Sequence, residues 1–473
     1  MSSVSPQRSV ALAAFSLLLT RLAHCSASAR DTPTIAGYFG TKGRYEEVNP
    51  HLLRDILAVN RSVLRAPESE RCRPVFLSAV IRHGSRYPTV KNIRRIRRLY
   101  ELVRAEAASP AAWLEEIRSG WDMWYTDDMD GQLVEKGRSD LRNLARRLAA
   151  LLPSLLSEEN LRRRRIRFLS SSKHRCLASM EAFQEGLHLH WGATDVGFQH
   201  VVNDELMRFF ERCRGYVDGV ENNRSALVEV EKFKGGEEME AVRRRMAERL
   251  GLPPHRLTPD LVEAAFFLCS YEFSIRSLNS PWCFLFDEND AKVLEYKSDL
   301  KQFWKRAHGH QINSRSSCAL LQDVFRELQA AGARSDGPGS ASIQLGHAET
   351  LLPLLALLGL YRDPAPPAAH NYHTQHGRSF RTSRIVPYAA NLLFVLYDCR
   401  PAARLQLLLN ESPVRFPGLQ EDAPLLRDVL AAYRHLLDGC DVDKECEVSV
   451  ESARPRVVPP AEDGAGGTSQ TDS

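Results

Sequence analysis

A strongly apolar, β-branched run from Val75 to Ile81 is followed at once by the polar loop Arg82–Pro88. A run of this kind with no turn residue predicts a strand that is buried at the centre of a sheet. In open α/β sheets the ligand site lies at the carboxyl ends of such strands. The sequence therefore predicts an α/β fold whose functional site includes this loop.

The loop carries residue types that are suited to a phosphate group. Arg82 and Arg86 present planar, permanently charged guanidinium groups, which match phosphate oxygens. Gly84, next to His83, allows the backbone to come close to a ligand. A lone Arg-His-Gly is most often an ordinary surface loop, but the strand before it and the second arginine after it favour a function here.

The whole run Arg82–Pro88, Arg-His-Gly-x-Arg-x-Pro, resembles the signature of the histidine acid phosphatases. The resemblance implies that His83 is the nucleophile and that Arg82 and Arg86 hold the phosphate. It implies no metal and no cofactor, because the guanidinium groups neutralise the phosphate charge.

Two later strand ends repeat this layout of a strand, polar residues and a helix. Ser170–Cys176 follows a short predicted strand, and its position resembles the second arginine site of the family, which would make Arg175 a third phosphate ligand. His347 and Glu349 follow a second short strand, Ser342–Gly346. The family resemblance makes His347 a phosphate ligand and Glu349 the proton donor, and a buried carboxylate facing an anion is expected to have a raised pKa.

The resemblance is narrowed by the sequence His-Ala-Glu, where most acid phosphatases carry His-Asp. This feature is similar to the multiple inositol polyphosphate phosphatases, a phytase-like branch of the family. Further similar stretches extend the resemblance along nearly all of the chain after its first 30 residues. They are Tyr38–Lys42, Asp130–Arg138, Lys292–Tyr296 and Ile312–Cys318. The substrate class implied is a small polyanion, namely inositol hexakisphosphate and lower inositol polyphosphates, with 2,3-bisphosphoglycerate as a further candidate.

The fold implied is a histidine-phosphatase-type mixed sheet flanked by helices, with an inserted and mainly α-helical cap. The chain of 473 residues is long enough for this organisation. The expected regions are a signal peptide at 1–29, a discontinuous α/β domain at 31–190 and 310–447, a helical cap at 191–309, and a disordered tail at 448–473.

The first 29 residues combine Arg8, a short apolar run and small residues up to Ala29, which is typical of a secretory signal peptide. The run is too short for a stable membrane span. The chain ends in Ser469–Ser473 and not in an endoplasmic reticulum retention tetrapeptide. Secretion, a cell-surface location and the endoplasmic reticulum lumen all remain open.

Cysteines and sequons agree with the secretory pathway. Of ten cysteines, nine follow the expected signal peptide, so one is expected to stay unpaired. The family resemblance implies the disulfides Cys72–Cys399, Cys269–Cys283 and Cys440–Cys446. Candidate glycosylation sites are Asn60, Asn223 and Asn410.

A basic helix begins directly after the first loop and carries Lys91, Arg94 and Arg95. These residues either form a solvated face or bind additional phosphates near the helix N-terminus. His188, His190 and His200 lack a carboxylate at ligand spacing, so no metal site is predicted. The second His-Gly-Arg, at 376–378, lacks the preceding strand and is read as unrelated to the site.

Two alternative functions are also consistent with the sequence. One is a broad-specificity secreted acid phosphatase with the same mechanism. The other is a secreted basic module that binds heparin-like polyanions through the run Arg162–Arg165. The formal net charge of +4 is small for this length and predicts no nucleic-acid partner. The oligomeric state is not defined by the sequence.

Overall fold

The computed structural model describes residues 32–67, 72–192, 197–333 and 340–447. The predicted signal peptide and the predicted disordered tail lie outside these residues, as does Cys25. The described residues form one seven-stranded sheet with helices on both of its faces. The predicted α/β fold with a mixed sheet is therefore confirmed.

The strands are ordered β3-β2-β4-β1-β5-β6-β7 across the sheet. In chain order they are β1 (Arg73–Arg82), β2 (Ile166–Ser170), β3 (His200–Val202), β4 (Ala341–Gly346), β5 (Asn391–Asp398), β6 (Ala403–Leu409) and β7 (Ser412–Val414). The half from β3 to β1 is parallel, whereas β5, β6 and β7 are added by antiparallel pairing. The predicted central strand is β1, which pairs with β4 on one side and with β5 on the other.

The apolar run of β1 is explained by burial on both faces of the sheet. Phe76 and Val80 pack into one hydrophobic cluster, whereas Leu77, Ala79 and Ile81 pack into another. Side chains alternate between the faces of a strand, so a strand covered by helices on both sides needs apolar residues at nearly every position.

The α-helices of seven or more residues are numbered in chain order. They are α1 (Val90–Glu106), α2 (Glu135–Leu151), α3 (His174–Trp191), α4 (Val228–Lys234), α5 (Glu237–Leu250), α6 (Pro259–Arg276), α7 (Glu288–Arg306), α8 (Cys318–Gly332), α9 (Ala348–Leu357) and α10 (Leu426–Leu437). Shorter α-helical segments are Ala112–Glu115, Glu158–Arg162, Asp204–Met207, Phe209–Arg212, Arg214–Tyr216, Gln311–Arg315, Thr382–Ile385 and Val442–Cys446. Helices α2 and α3 cover one face of the sheet, and α8 and α9 cover the other.

A third hydrophobic cluster joins helices that lie away from the sheet. It contains Ile93 of α1, Met246 of α5, Phe266 of α6 and Tyr296 of α7. Helix α1 contributes because its apolar residues recur every three or four positions and form one buried face. These contacts cross the boundary predicted at residue 191, so the limits of the domains stay a prediction.

Two of the predicted disulfides are confirmed. Cys72 pairs with Cys399, and Cys269 pairs with Cys283. Cys176 is the one free cysteine of the described residues and is buried, which agrees with the odd number of cysteines. Disulfides are consistent with an oxidising compartment. Among the described residues, none of the helices combines the length and hydrophobicity that a membrane-spanning segment requires.

The third predicted disulfide, Cys440–Cys446, is wrong. Cys440 pairs with Cys318 at the start of α8, and Cys446 pairs with Cys213. The Cα atoms of these pairs are 5.7 Å and 4.7 Å apart, within the range that a disulfide requires. The short helix Val442–Cys446 separates the two cysteines and presents them to different parts of the fold.

The glycosylation candidates differ in accessibility. Asn60 and Asn223 are exposed, and the side-chain oxygen of each accepts a hydrogen bond from the amide of the serine two residues later. Asn410 is buried, and its Nδ2 donates to the carbonyls of Arg384 and Ile385 at 3.0 Å and 3.1 Å. A glycan on that nitrogen would displace both bonds, so the structure contradicts the third candidate.

We expect peptide mapping of the unreduced protein to recover Cys213–Cys446 and Cys318–Cys440 as linked fragments. Mass spectrometry after proteolysis and alkylation provides the measurement. Cys176 should react with the alkylating agent only after unfolding, because its side chain is buried. A fragment that links Cys440 to Cys446 would contradict the structure.

Candidate active site

Three neighbouring strand ends form the site. Parallel pairing places Arg82 at the end of β1 beside Gly346 at the end of β4, and Ser170 at the end of β2 beside Leu345. Carboxyl ends of parallel strands meet at one edge of a sheet, which is where α/β proteins bind ligands. The structure thereby brings together six sequence-predicted residues: Arg82, His83, Arg86, Arg175, His347 and Glu349.

His83 is held in a defined tautomer. Its Nδ1 lies 2.9 Å from the carbonyl oxygen of Gly84, which only accepts hydrogen bonds, so Nδ1 carries the proton. The lone pair of Nε2 is therefore available. Burial lowers the pKa of His83 well below its usual value, and the nearby Arg175 and Arg82 lower it further. The ring is neutral, as a nucleophile must be.

The three arginines surround His83 with unused donors. Nη1 of Arg82 donates to the carbonyls of Thr41 and Val386, both at 2.6 Å, which fixes its guanidinium plane. Within the described residues, the buried Nε of Arg82, of Arg86 and of Arg175 has no hydrogen-bond partner. Buried donors are nearly always paired in folded proteins, so three of them around one histidine indicate an anion site.

Glu349 lies in the first turn of α9. Burial raises the pKa of this carboxyl, yet Arg306, His347 and Arg82 outweigh burial and lower it to about 2. The raised pKa that the sequence predicts is that of a carboxyl group facing an anion, and it stays a prediction. The cation that lowers the pKa most is Arg306 in α7, which that prediction did not include.

Three basic residues at the site were not singled out from the sequence: Lys42, Lys301 and Arg306. Nζ of Lys42 lies 3.6 Å from the ring centre of Phe267 in α6. Burial lowers the pKa of Lys42 to about 7, with further lowering by Arg86 and Lys301. The spacing of Lys297, Lys301 and Lys305 in α7 was the available signal, because residues four apart share one helix face.

The three predicted basic residues of α1 contribute unequally to the positive charge of the site. Lys91 is exposed and lies close enough to Lys301 to lower its pKa. Arg94 instead contacts Asp127 at 3.4 Å, and Arg95 contacts Asp260 at 3.7 Å. Of the three side chains, Lys91 is therefore the one that extends the basic cluster.

The remaining sequence candidates lie elsewhere. Arg378 of the second His-Gly-Arg is buried against Asp299 and Glu295. His200 contacts Ser170 on the neighbouring strand, with 2.7 Å between Nε2 and Oγ. No group of three side chains suited to hold a metal occurs among the described residues.

The arginine run of the polyanion hypothesis is partly neutralised. Arg162 pairs with Glu158 at 2.5 Å, and Arg163 pairs with Glu159 at 2.7 Å. Both pairs lie one helical turn apart. These contacts reduce the positive field of the run and disfavour it as the main functional surface.

Two glycines allow the loop Arg82–Pro88 to pack closely against α2. A Cβ atom added to Gly84 would lie 2.3 Å from the carbonyl oxygen of Gly137, and one added to Gly137 would lie 2.2 Å from that of Ser85. Only glycine permits this approach of two backbones. The position of the loop therefore depends on the first turn of α2.

This fold and this site are those of the histidine phosphatases. The model of the histidine phosphatase superfamily (branch 2) matches residues 75–415, and the chain belongs to that family.

Relatives with curated names agree with this assignment. The chain is 45% identical to multiple inositol polyphosphate phosphatase 1 of Homo sapiens over 95% of this chain and 96% of the relative. It is 47% identical to the Gallus gallus protein of the same name over 88% and 93%, respectively.

Solved structures share the fold at lower identity. The phytase from D. castellii superposes with a TM-score of 0.71 at 15% identity, covering 88% of each chain. The Bifidobacterium longum multiple inositol polyphosphate phosphatase in complex with inositol hexasulfate superposes with a TM-score of 0.66 at 16% identity, covering 88% of this chain and 100% of that one.

We expect Gly137→Ala to destabilise the protein by about 1–3 kcal/mol, the usual effect of overpacking, and to displace the loop that carries His83. Thermal unfolding and phosphatase activity provide the measurements. Gly377→Ala is the matched control, because a Cβ there meets nothing within 4 Å. Equal effects of the two substitutions would contradict the role of the glycine contact.

Proposed function

We propose that the protein removes phosphates from inositol hexakisphosphate and lower inositol polyphosphates through a phosphohistidine intermediate. The observation that carries the proposal is the free Nε2 of His83 surrounded by three arginines with partnerless buried N–H groups. The names of the relatives at 45% and 47% identity support this substrate class.

In the first step, Nε2 of His83 attacks phosphorus in line with the ester oxygen that leaves. The N–P bond forms and the P–O bond breaks, while Arg82, Arg86 and Arg175 balance the charge on the other phosphate oxygens. The Nδ1–H bond to the Gly84 carbonyl keeps the ring oriented and stabilises the positive charge that develops on it.

Glu349 supplies the proton that the leaving oxygen requires. Arg306, His347 and Arg82 outweigh burial and lower its pKa to about 2, so it must gain its proton when substrate binds. A bound phosphate offsets the positive charge of Arg306 and Arg82, which raises the carboxyl pKa toward that of a general acid. Water then attacks phosphorus and breaks the N–P bond, and Glu349 accepts the proton of that water.

The additional cations favour a substrate with several phosphates over a broad-specificity acid phosphatase. Lys42, Lys301 and Lys91 extend the positive charge beyond the three arginines that serve the reacting phosphate. A simple phosphomonoester has no groups for these lysines to bind. 2,3-Bisphosphoglycerate, with two neighbouring phosphates, belongs to the same proposal as a smaller substrate.

The proposed roles of Arg94 and Arg95 are secondary, since both side chains already contact aspartates. The proposed organisation is an α/β phosphatase domain with the substrate bound between its sheet edge and the helical layer. The disulfides support residence in the secretory pathway, as a secreted, cell-surface or endoplasmic reticulum protein.

We expect His83→Ala to abolish the covalent phosphoenzyme, because no other residue provides the attacking nitrogen. Acid-free quenching after mixing with labelled inositol hexakisphosphate measures the trapped phosphate. His376→Ala, in the unrelated His-Gly-Arg, serves as the control and should retain the wild-type signal. An unchanged signal in His83→Ala would refute the nucleophile assignment.

Lys42→Met should reduce kcat/KM for inositol hexakisphosphate about tenfold or more and leave that for a simple aryl phosphate nearly unchanged, since a charge contact with phosphate is lost only in the first case. Lys444→Met, at an exposed lysine, is the control. Equal losses on both substrates would argue for a broad acid phosphatase.

Lys42 also makes the activity on inositol hexakisphosphate dependent on pH. Burial lowers the pKa of Lys42 to about 7, so its charge is present below that pH and is lost as pH rises through it. Because kcat/KM reports the free enzyme, its value for inositol hexakisphosphate should fall above about pH 7. Lys42→Met should remove this part of the decline.

Glu349→Gln should slow phosphoenzyme formation most for esters of weakly acidic alcohols, because good leaving groups depart without a proton. Rapid-quench rates across a series of leaving groups give the comparison. A uniform decrease for all substrates would rule out Glu349 as the acid.

A further inference from the structure

A chain of hydrogen bonds connects Arg175, His347 and Ser171 behind the phosphate site. Nη2 of Arg175 lies 3.2 Å from Nδ1 of His347, and Oγ of Ser171 lies 2.8 Å from Nε2 of the same ring. Ser171 and His347 are almost completely buried, so the bond between them is shielded from solvent, whereas the contact of His347 with Arg175 is part-buried.

The direction of this chain is fixed by chemistry. An arginine side chain has donors and no acceptor, so Nδ1 of His347 must accept and cannot carry a proton. The proton of the neutral ring is then on Nε2, which donates to Oγ of Ser171. The ring is neutral because burial, reinforced by Arg175, lowers the pKa of His347 to about 3.

Beyond Ser171, the series of hydrogen bonds continues to the thiol of Cys176. Ser171 lies within hydrogen-bonding reach of the Cys176 thiol, whose Sγ lies 3.3 Å from the carbonyl oxygen of Gly346. Sγ of Cys176 also lies 3.6 Å from Nε2 of His347. With the ring proton on Nε2, the hydroxyl proton of Ser171 is directed to sulfur, and the thiol proton to the carbonyl of Gly346. Every donor in the chain points away from Arg175, which leaves Oγ of Ser171 free to accept from His347.

We propose that Ser171 is a positioning residue that holds His347 as its neutral Nε2–H tautomer, so that Nδ1 of His347 accepts a hydrogen bond from Arg175 and orients that guanidinium toward the reacting phosphate. This inference rests on the proposed function for the anion that Arg175 faces. It makes the contribution of His347 to phosphate binding, which the family resemblance implies as a direct contact, an indirect one through Arg175. The tautomer itself does not depend on the proposed function.

The geometry explains why such a device is useful. Nε of Arg175 is buried without a partner, and Arg175 is one of several cations packed closely around His83. Mutual repulsion favours moving this side chain away from Arg86 when no anion is present. A hydrogen bond to an uncharged acceptor holds the guanidinium in place without neutralising it. The charged groups nearest His347 besides Arg175 are Arg208, Arg82 and Glu349.

The tautomer is tested directly by NMR of the full-length protein labelled with ¹⁵N in its histidines, with His347→Asn used for assignment. At about pH 6, His347 should show a protonated Nε2 and a bare Nδ1. A proton on Nδ1, or a doubly protonated ring, would overturn the proposal. This measurement uses the unmodified site and remains decisive if a serine variant fails to fold.

The consequence for Arg175 is tested by kinetics. Ser171→Ala should slow phosphohistidine formation from inositol hexakisphosphate about tenfold to a hundredfold, the usual range for losing a hydrogen bond that orients a site residue. Ser171→Thr keeps the hydroxyl and should recover most of the rate. In the alanine variant Nε2 of His347 loses the acceptor of its proton, so the preference for the Nε2–H tautomer should weaken, whereas the threonine variant should keep it.

Ser170→Ala is the matched control. Ser170 is the neighbouring buried serine on the same strand end, and its Oγ contacts His200 and the backbone carbonyl oxygen of Ser171 but not His347. It should retain the rate within about twofold. An unaffected rate in Ser171→Ala, or an equal loss in Ser170→Ala, would overturn the positioning role. If the wild-type protein formed no phosphohistidine at all, the proposed function would fail while the tautomer remained measurable.

Discussion

The parallel pairing of β4 between β1 and β2 is the constraint on which the site depends. Its register places Gly346 next to Arg82 and Leu345 next to Ser170, so the residues that follow three distant strands emerge at one edge. His83, Arg175 and Glu349 come from parts of the chain separated by about 90 to 270 residues. A slip of β4 by one residue would turn its side chains to the opposite face.

Much of this arrangement is visible in the sequence because the signals are local. The apolar run of β1, its polar loop and the two later strand ends each occupy fewer than about 20 residues, and each predicts its own strand, loop and helix. The family resemblance then supplied the roles of His83 and Glu349.

What the sequence did not provide depends on long-range packing. Lys42, Lys301 and Arg306 become site residues only when the N-terminal loop and α7 reach the sheet edge. The low pKa of Glu349 follows from Arg306, a contribution that no motif around Glu349 indicates. The pairing of Cys440 with Cys318 likewise depends on where α8 begins relative to the end of α10.

Arg82 has two functions in the site, since it holds the loop that precedes Lys42 and also presents a free N–H donor to an anion. One nitrogen of this guanidinium holds the carbonyl of Thr41, the residue before Lys42, while its Nε remains available to an anion. Under the proposed function, Arg82 therefore supports both the reacting phosphate and Lys42, the lysine proposed to bind a second phosphate. Replacing Arg82 would shift the substrate preference as well as the rate, so the two effects of such a substitution cannot be assigned to separate contacts.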